Sequence, residues 1–223
     1  IGLGGTFQAR NGATAVAAVE TLAANGFAIP DDAYAAGLAN TRIPGRIELI
    51  QDRVPVLLDG AHNPEKVAAL ALDVPRMLPT PEAGRRIAVV GVLEAKQADE
   101  MFRSLVPVVD VIVATSPQVL AKESKHADQI EAIARNAGFS GPVFVDPEPL
   151  RAVDIAFAQV REGAGDAILV TGSLYLVGNI RARWYDEESI VLQQTSWPTA
   201  LGMALNVAEE HVDGANPGSA FER

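Results

Sequence analysis

From Val54 onward the chain alternates short runs of consecutive apolar residues with stretches whose apolar positions recur at i, i+3 and i+4. The runs are 54–59 (VPVLLD), 87–92 (IAVVGV), 109–115 (VDVIVAT), 142–146 (PVFVD) and 167–172 (AILVTG), all rich in Val and Ile. Segments that stay apolar without polar alternation read as strands buried on both faces. Between them, Val67, Leu70, Ala71, Val74 and Leu78 repeat with helical spacing. So do Ile130, Ile133, Ala134 and Ala137, closed by Gly138. Regular alternation of strand and helix predicts an α/β fold with a mostly parallel, Rossmann-like sheet covered by helices on both faces. Ligands of such sheets sit at the carboxyl ends of the strands. The segments to inspect for chemistry are therefore 59–63, 91–96, 115–116 and 171–173.

The first 45 residues break the alternation. Asn11 to Asn25 reads as a helix with Val16, Val19, Leu22 and Ala23 on one face, and Asp31 to Leu38 as a shorter one started by Pro30 and Asp31. Two short helices cannot bury their apolar faces alone, and the Pro and Gly of 42–46 (RIPGR) mark a connector. The division expected is a helical piece over 1–45, an α/β domain over 46–188 and a tail over 189–223. A further helix is expected at Thr199 to His211. Ile1 in place of Met reads as a processed or truncated start.

Composition narrows the function. Hydrophobic residues make up 48% and charged residues 21% of 223, the balance of a folded globular protein. The net charge of −10 lacks the basic excess of a phosphate-backbone binder, so nucleic acid is not an expected partner. Seven acids against one base over 186–223 supply −6 of that charge, which leaves the body of the chain near neutral and open to an anionic ligand. The longest apolar stretch, Leu105 to Thr115, is broken by Asp110 and is well short of the roughly 18 residues of a membrane span. The absence of Cys removes thiolate metal sites and fits a reducing cytoplasm. His62, His126 and His211 are scattered without ligand spacing, so no metal site is expected.

One string concentrates the chemistry. In 57–64 (LLDGAHNP) an apolar strand ends in Asp59, a Gly-Ala turn follows, and Pro64 suits the first position of a helix. That geometry places Asp59, His62 and helix N-terminal amides at the ligand-facing edge, where a carboxylate can accept ribose hydroxyls and amides can face an anion. The alternative is that Asp59 caps the turn with His62 packed against it. The GLGG of 2–5 has no preceding strand and no Lys-Ser/Thr, and is not a phosphate loop.

DGAHNP, with PGR 13 residues upstream, FQARN at 7–11 and TGSLYLVG at 171–178, resembles the folylpolyglutamate synthase and dihydrofolate synthase family. That family is a branch of the Mur-ligase-like ATP-dependent amide ligases, and the resemblance runs from residue 1 to about 185. FQARN is similar to the family segment HQ-x-x-NA near the end of its ATP-binding domain. The glycine-rich phosphate loop and magnesium ligands that would come earlier are absent from this chain.

The resemblance implies roles for single residues. Asn11 matches an adenine-contacting asparagine, with the N-cap of a helix starting at Gly12 as its alternative. Arg46 matches an arginine that approaches the ATP phosphates, suited by its bidentate fork. Asp59 matches a ribose-binding aspartate. His62 is implied near the reacting phosphate or the incoming glutamate, as a base or positive partner, or else as a group orienting Asp59. Ser173 caps a helix and is the implied glutamate contact. Lys96 matches a lysine normally flanked by aspartates, here by Ala95 and Gln97. Lys122, Lys125 and His126 read as a solvated face, and Tyr175 and Leu176 as core.

The implied activity is ATP-dependent joining of a folate or pteroate carboxylate to glutamate through an acyl phosphate. ATP and Mg²⁺ are the implied cofactors, with the metal ligands in the missing ATP-binding domain, so the chain alone is expected to be inactive. Two alternatives remain: a scaffold or partner-binding module of the same fold, self-associating through residues 12–25, and a domain of another Mur-type amino-acid ligase.

Overall fold

The computed structural model describes residues 2–185; the expected tail helix lies outside them. Two helices, α1 (Gln8–Ala24) and α2 (Asp31–Asn40), come first. There follow β1 (Glu48–Gln51), β2 (Pro55–Leu58), α3 (Pro64–Met77), β3 (Arg86–Val90), α4 (Ala98–Leu105), β4 (Val111–Ala114), α5 (Ala127–Asn136), β5 (Val143–Val145), α6 (Pro149–Ala158), β6 (Ala167–Thr171) and α7 (Leu174–Arg181).

The six strands form one sheet in the order β1-β2-β6-β3-β4-β5. All neighbours are parallel except β1 and β2, which pair antiparallel as a hairpin at the edge. The five apolar runs of the sequence are the five parallel strands. In β2, β3, β4 and β6 successive residues point to opposite faces and both faces are buried, while the edge strand β5 is half-buried. Leu57, Ala88, Val90, Ile112, Ala114 and Leu169 pack under α3, α4 and α5. Leu58, Ile87, Val89, Val111, Val113, Ile168 and Val170 pack under α6 and α7. A strand with both faces covered cannot show polar alternation, which is why these runs read as continuous.

β1 was not expected. Its ends are Glu48 and Gln51, and only Ile50 is fully buried, so no apolar run announces it. What holds it is tertiary. Glu48 takes a two-pronged ion pair from Arg181 of α7 at 3.0–3.1 Å, both side chains 9% exposed, and its Oε2 also accepts from the Gly45 amide at 2.8 Å. The connector of 42–46 is thereby fastened to the sheet edge.

The helical piece attaches lightly. α1 buries only Gln8 and Gly12 and α2 buries nothing, while Leu22 is 47% and Phe27 62% exposed. Asp73 of α3 ties the start of the chain by accepting from the Thr6 amide at 2.7 Å and hydroxyl at 3.1 Å.

Candidate functional site

The carboxyl end of β2 runs into 59–63, where hydrogen bonds fix each group. Asp59 is buried; its Oδ2 accepts from the Ile47 amide at 3.0 Å and its Oδ1 from the Ala61 amide at 2.8 Å. Ile47 has φ of 48°, a left-handed conformation that strains a β-branched residue. Its amide is the one that reaches Asp59. Burial pushes the Asp59 carboxyl above its usual value, against the two amide bonds and the charges of Arg46 and Lys66.

Three segments are laced together here. The Gly60 amide donates to the Gly45 carbonyl at 2.7 Å, and the Gly172 amide donates to the Ala61 carbonyl at 3.0 Å. Gly172 has φ of 101°, and a Cβ there would lie 2.6 Å from the Gly91 carbonyl oxygen, so only glycine fits between β6 and β3.

His62 lies between two partners. Its Nδ1 is 2.7 Å from the Gly60 carbonyl and its Nε2 is 3.2 Å from Lys66 Nζ. A carbonyl only accepts and an ammonium only donates, so Nδ1 carries the proton and Nε2 presents a lone pair. Burial lowers the His62 pKa, and the positive charges of Lys66, Lys96 and Arg46 lower it further against the Gly60 bond. The ring is therefore neutral at pH 7. No hydrogen bond joins it to Asp59. Asn63 caps α3 by accepting from the Lys66 amide at 2.9 Å, and Pro64 occupies the first turn, as its position in the string suggests.

Arg46 is exposed, and its guanidinium has no partner among the described residues. Asn11 is not an N-cap: α1 begins at Gln8, which puts Asn11 inside the helix, where its Nδ2 donates to Gln8 Oε1 at 2.8 Å. Gln8 is itself buried, and its Nε2 has no partner.

Asn11, Arg46, Asp59 and His62 all line one cavity of about 370 Å³, together with Lys66 and Phe7. Four residues spread over three segments of chain thus face one cavity. Ser173 does not line it. The side chain is buried and caps α7 by accepting from the Tyr175 amide at 3.1 Å, while its neighbour Leu174 reaches the cavity wall. The hydroxyls of Thr115 and Thr171, at the ends of β4 and β6, are buried without partners.

Other expectations need correction. Tyr175 is 41% exposed, because successive helical positions are turned by about 100° and α7 points Leu176, Val177 and Ile180 inward instead. The Tyr175 hydroxyl accepts from Lys122 Nζ at 2.5 Å, and that ammonium lies 4.6 Å from the ring centroid. Lys125 is largely buried and pairs with Glu94 at 3.1 Å, so the basic cluster is not simply solvated. Lys66 was overlooked. Its signal was the four-residue spacing from His62 across a helix start.

Among the described residues no group of three His, Asp or Glu could hold a metal ion, and no helix is long and apolar enough to cross a membrane.

A mostly parallel α/β sheet with an antiparallel edge hairpin and a polar cavity at the end of β2 defines an α/β domain with a candidate ligand site at the carboxyl ends of its strands. Comparison with known proteins makes this specific. Residues 45–174 match the Mur ligase, glutamate ligase domain, and the chain belongs to that family. It is 35% identical over 185 residues to a dihydrofolate synthase/folylpolyglutamate synthase of Bacillus subtilis, which covers 80% of this chain and 39% of the relative. A Mycobacterium tuberculosis folylpolyglutamate synthase complexed with ADP and AMPPCP superposes with a TM-score of 0.72 at 27% identity, covering 81% of this chain and 40% of that one. An E. coli FolC in complex with DHPP and ADP gives 0.64 at 26% identity, over 83% and 39%. The chain spans about two fifths of the length of these proteins.

Proposed function

We propose that this chain is the C-terminal part of an ATP-dependent ligase that joins a folate or pteroate carboxylate to glutamate through an acyl phosphate. The observation that carries the reading is the convergence of Asn11, Arg46, Asp59 and His62 on one cavity. Each has capacity to spare for a ligand. Asp59 spends one lone pair of each oxygen on an amide, leaving others for ribose hydroxyls. Asn11 keeps its Oδ1 and one N–H for the edge of a base, with the unpaired amide of Gln8 behind it. Arg46 is free to grip phosphate. His62 is assigned to the phosphate side of the nucleotide, and Ser173, at the start of α7, to the glutamate.

Mg²⁺ would travel with the ATP phosphates and be held by residues of the ATP-binding domain rather than of this chain. There it would neutralise charge on the transferring phosphoryl. This chain's own part is to bind the nucleotide, orient it and exclude water when it closes onto an ATP-binding domain. We assign residues 1–45 to the end of that domain and 46–188 to the glutamate-ligase domain, with a cytoplasmic location. Three polar or charge-assisted contacts at roughly 1.5–3 kcal/mol each, about 5–9 kcal/mol together, are set against an association cost of at least about 4 kcal/mol. ATP affinity of the isolated chain is then millimolar or weaker.

The exposed Leu22 of α1 favours a second reading, a partner-binding module that pairs through residues 12–25. The deciding experiment measures ADP release dependent on glutamate and a folate substrate, from this chain alone and joined to an ATP-binding domain of the family. Activity only in the joined form, lowered about 100-fold or more by Asp59→Ala or Arg46→Ala, supports the ligase. Ordinary turnover by the isolated chain, or stable self-association with no activity when joined, overturns it.

A further inference from the structure

Lys66 is the one cation of the cavity wall that is held by another side chain. Its ammonium has no ion-pair partner among the described residues; its contact is the Nε2 lone pair of His62 at 3.2 Å. Such an arrangement is uncommon, because a lysine near a carboxylate would normally take it. Here Glu65 and Asp59 line the same cavity, yet neither pairs with Lys66. The histidine is itself fixed by the Gly60 carbonyl, and the lysine backbone by the Asn63 cap, so both ends of the Lys66 side chain are constrained. An ammonium has three donors. One is spent on His62, and two remain for a ligand in the cavity that Arg46 also lines.

We infer that His62 is a positioning residue that holds the Lys66 ammonium over the cavity as a contact for a phosphate oxygen of a bound nucleotide. This deepens the proposed function and rests on its nucleotide site. The constraint removes in advance rotamer freedom that a lysine would otherwise lose on binding. It also gives His62 work that a neutral ring can do, since its lone pair is already directed at Lys66 and is not available to take a substrate proton. The charged groups facing the ring are Arg46 from the connector, Asp59 from the end of β2, Glu65 and Lys66 from α3, and Lys96 from beyond β3. Protonating the ring would set an N–H against the ammonium and release Lys66.

The test is an NMR titration of the full chain with ADP, adenosine and glutamate, combined with ¹⁵N shifts of the histidine rings. Lys66→Met should weaken ADP about tenfold or more, leave adenosine unchanged, and raise the His62 pKa by removing a like charge. Lys66→Arg should recover most of the ADP affinity. His62→Phe should weaken ADP by less than Lys66→Met, and the double variant should be no weaker than Lys66→Met alone, because the ring acts only through the lysine. The ¹⁵N shifts should show His62 protonated on Nδ1. Unchanged ADP affinity in Lys66→Met, an equal loss with adenosine, a loss confined to glutamate, or an Nε2-protonated ring overturns the inference while the nucleotide site stands. If ADP perturbs no amide between Gly45 and Lys66 in the unaltered chain, the nucleotide reading falls, and this inference with it.

Discussion

Two buried aspartates show how the same side chain is used for opposite ends. Asp59 sits above its usual pKa because burial outweighs its two amide bonds, so keeping it ionised at the site opposes folding. Asp166, at the other end of the sheet, is pushed up by burial but held far below the usual range by hydrogen bonds. These come from the Arg161 side chain at 2.7 and 3.1 Å, the Arg161 amide at 2.9 Å and the Arg85 amide at 2.8 Å. A carboxyl with a lowered native pKa supplies stability that is fully present above the unfolded value and is lost as pH falls. Asp166→Asn should lower the unfolding free energy at pH 7 by about 2 kcal/mol, since its amide would face donors with a donor. The gap between variant and parent should narrow between about pH 4 and pH 2. Urea unfolding at several pH values measures both.

At the scale of elements, the start of α3 does the most for the site. Asn63 at the cap and Pro64 in the first turn set where the helix begins, and hence where His62 ends the turn and Lys66 enters the cavity. Asn63→Ala should cost about 1 kcal/mol of stability. It should also weaken ADP, because the Lys66 backbone loses its tether. Thermal unfolding with and without ADP separates the two effects, and an unchanged ADP response would show that the cap matters to the helix alone. The edge hairpin has the complementary role of fastening the connector that carries Arg46 through Glu48 and Arg181.

The whole molecule is uneven in how firmly its parts are held. Strands β2, β6, β3 and β4 are covered on both faces, whereas α1 and α2 bury almost nothing against them. Amides of 87–90 and 168–170 should exchange hydrogen only by global unfolding. Those of α1 and α2 should exchange faster by about two orders of magnitude or more. Uniform protection across the chain would contradict this. The contrast suits a helical piece that gains its remaining contacts from another domain or a second copy.

The parallel strands, the strand-turn-helix of 57–64 and the helical spacing of α3 and α5 were all readable in the sequence. Asn11 and Arg46 were singled out by the family resemblance, whereas Asp59 and His62 also stood at a strand end within the strand-turn-helix string. These are local signals, because periodicity, turn chemistry and a proline's fixed φ act over one or two turns of chain. The insertion of β6 between β2 and β3, the pairing of β1, the outward turn of Tyr175 and the hold of His62 on Lys66 were settled only in three dimensions. Apolar strands offer one another nearly interchangeable partners, a polar edge strand has no pattern of its own, and a hydrogen bond between side chains is specified by distance and direction. None of these quantities exists until the chain has folded.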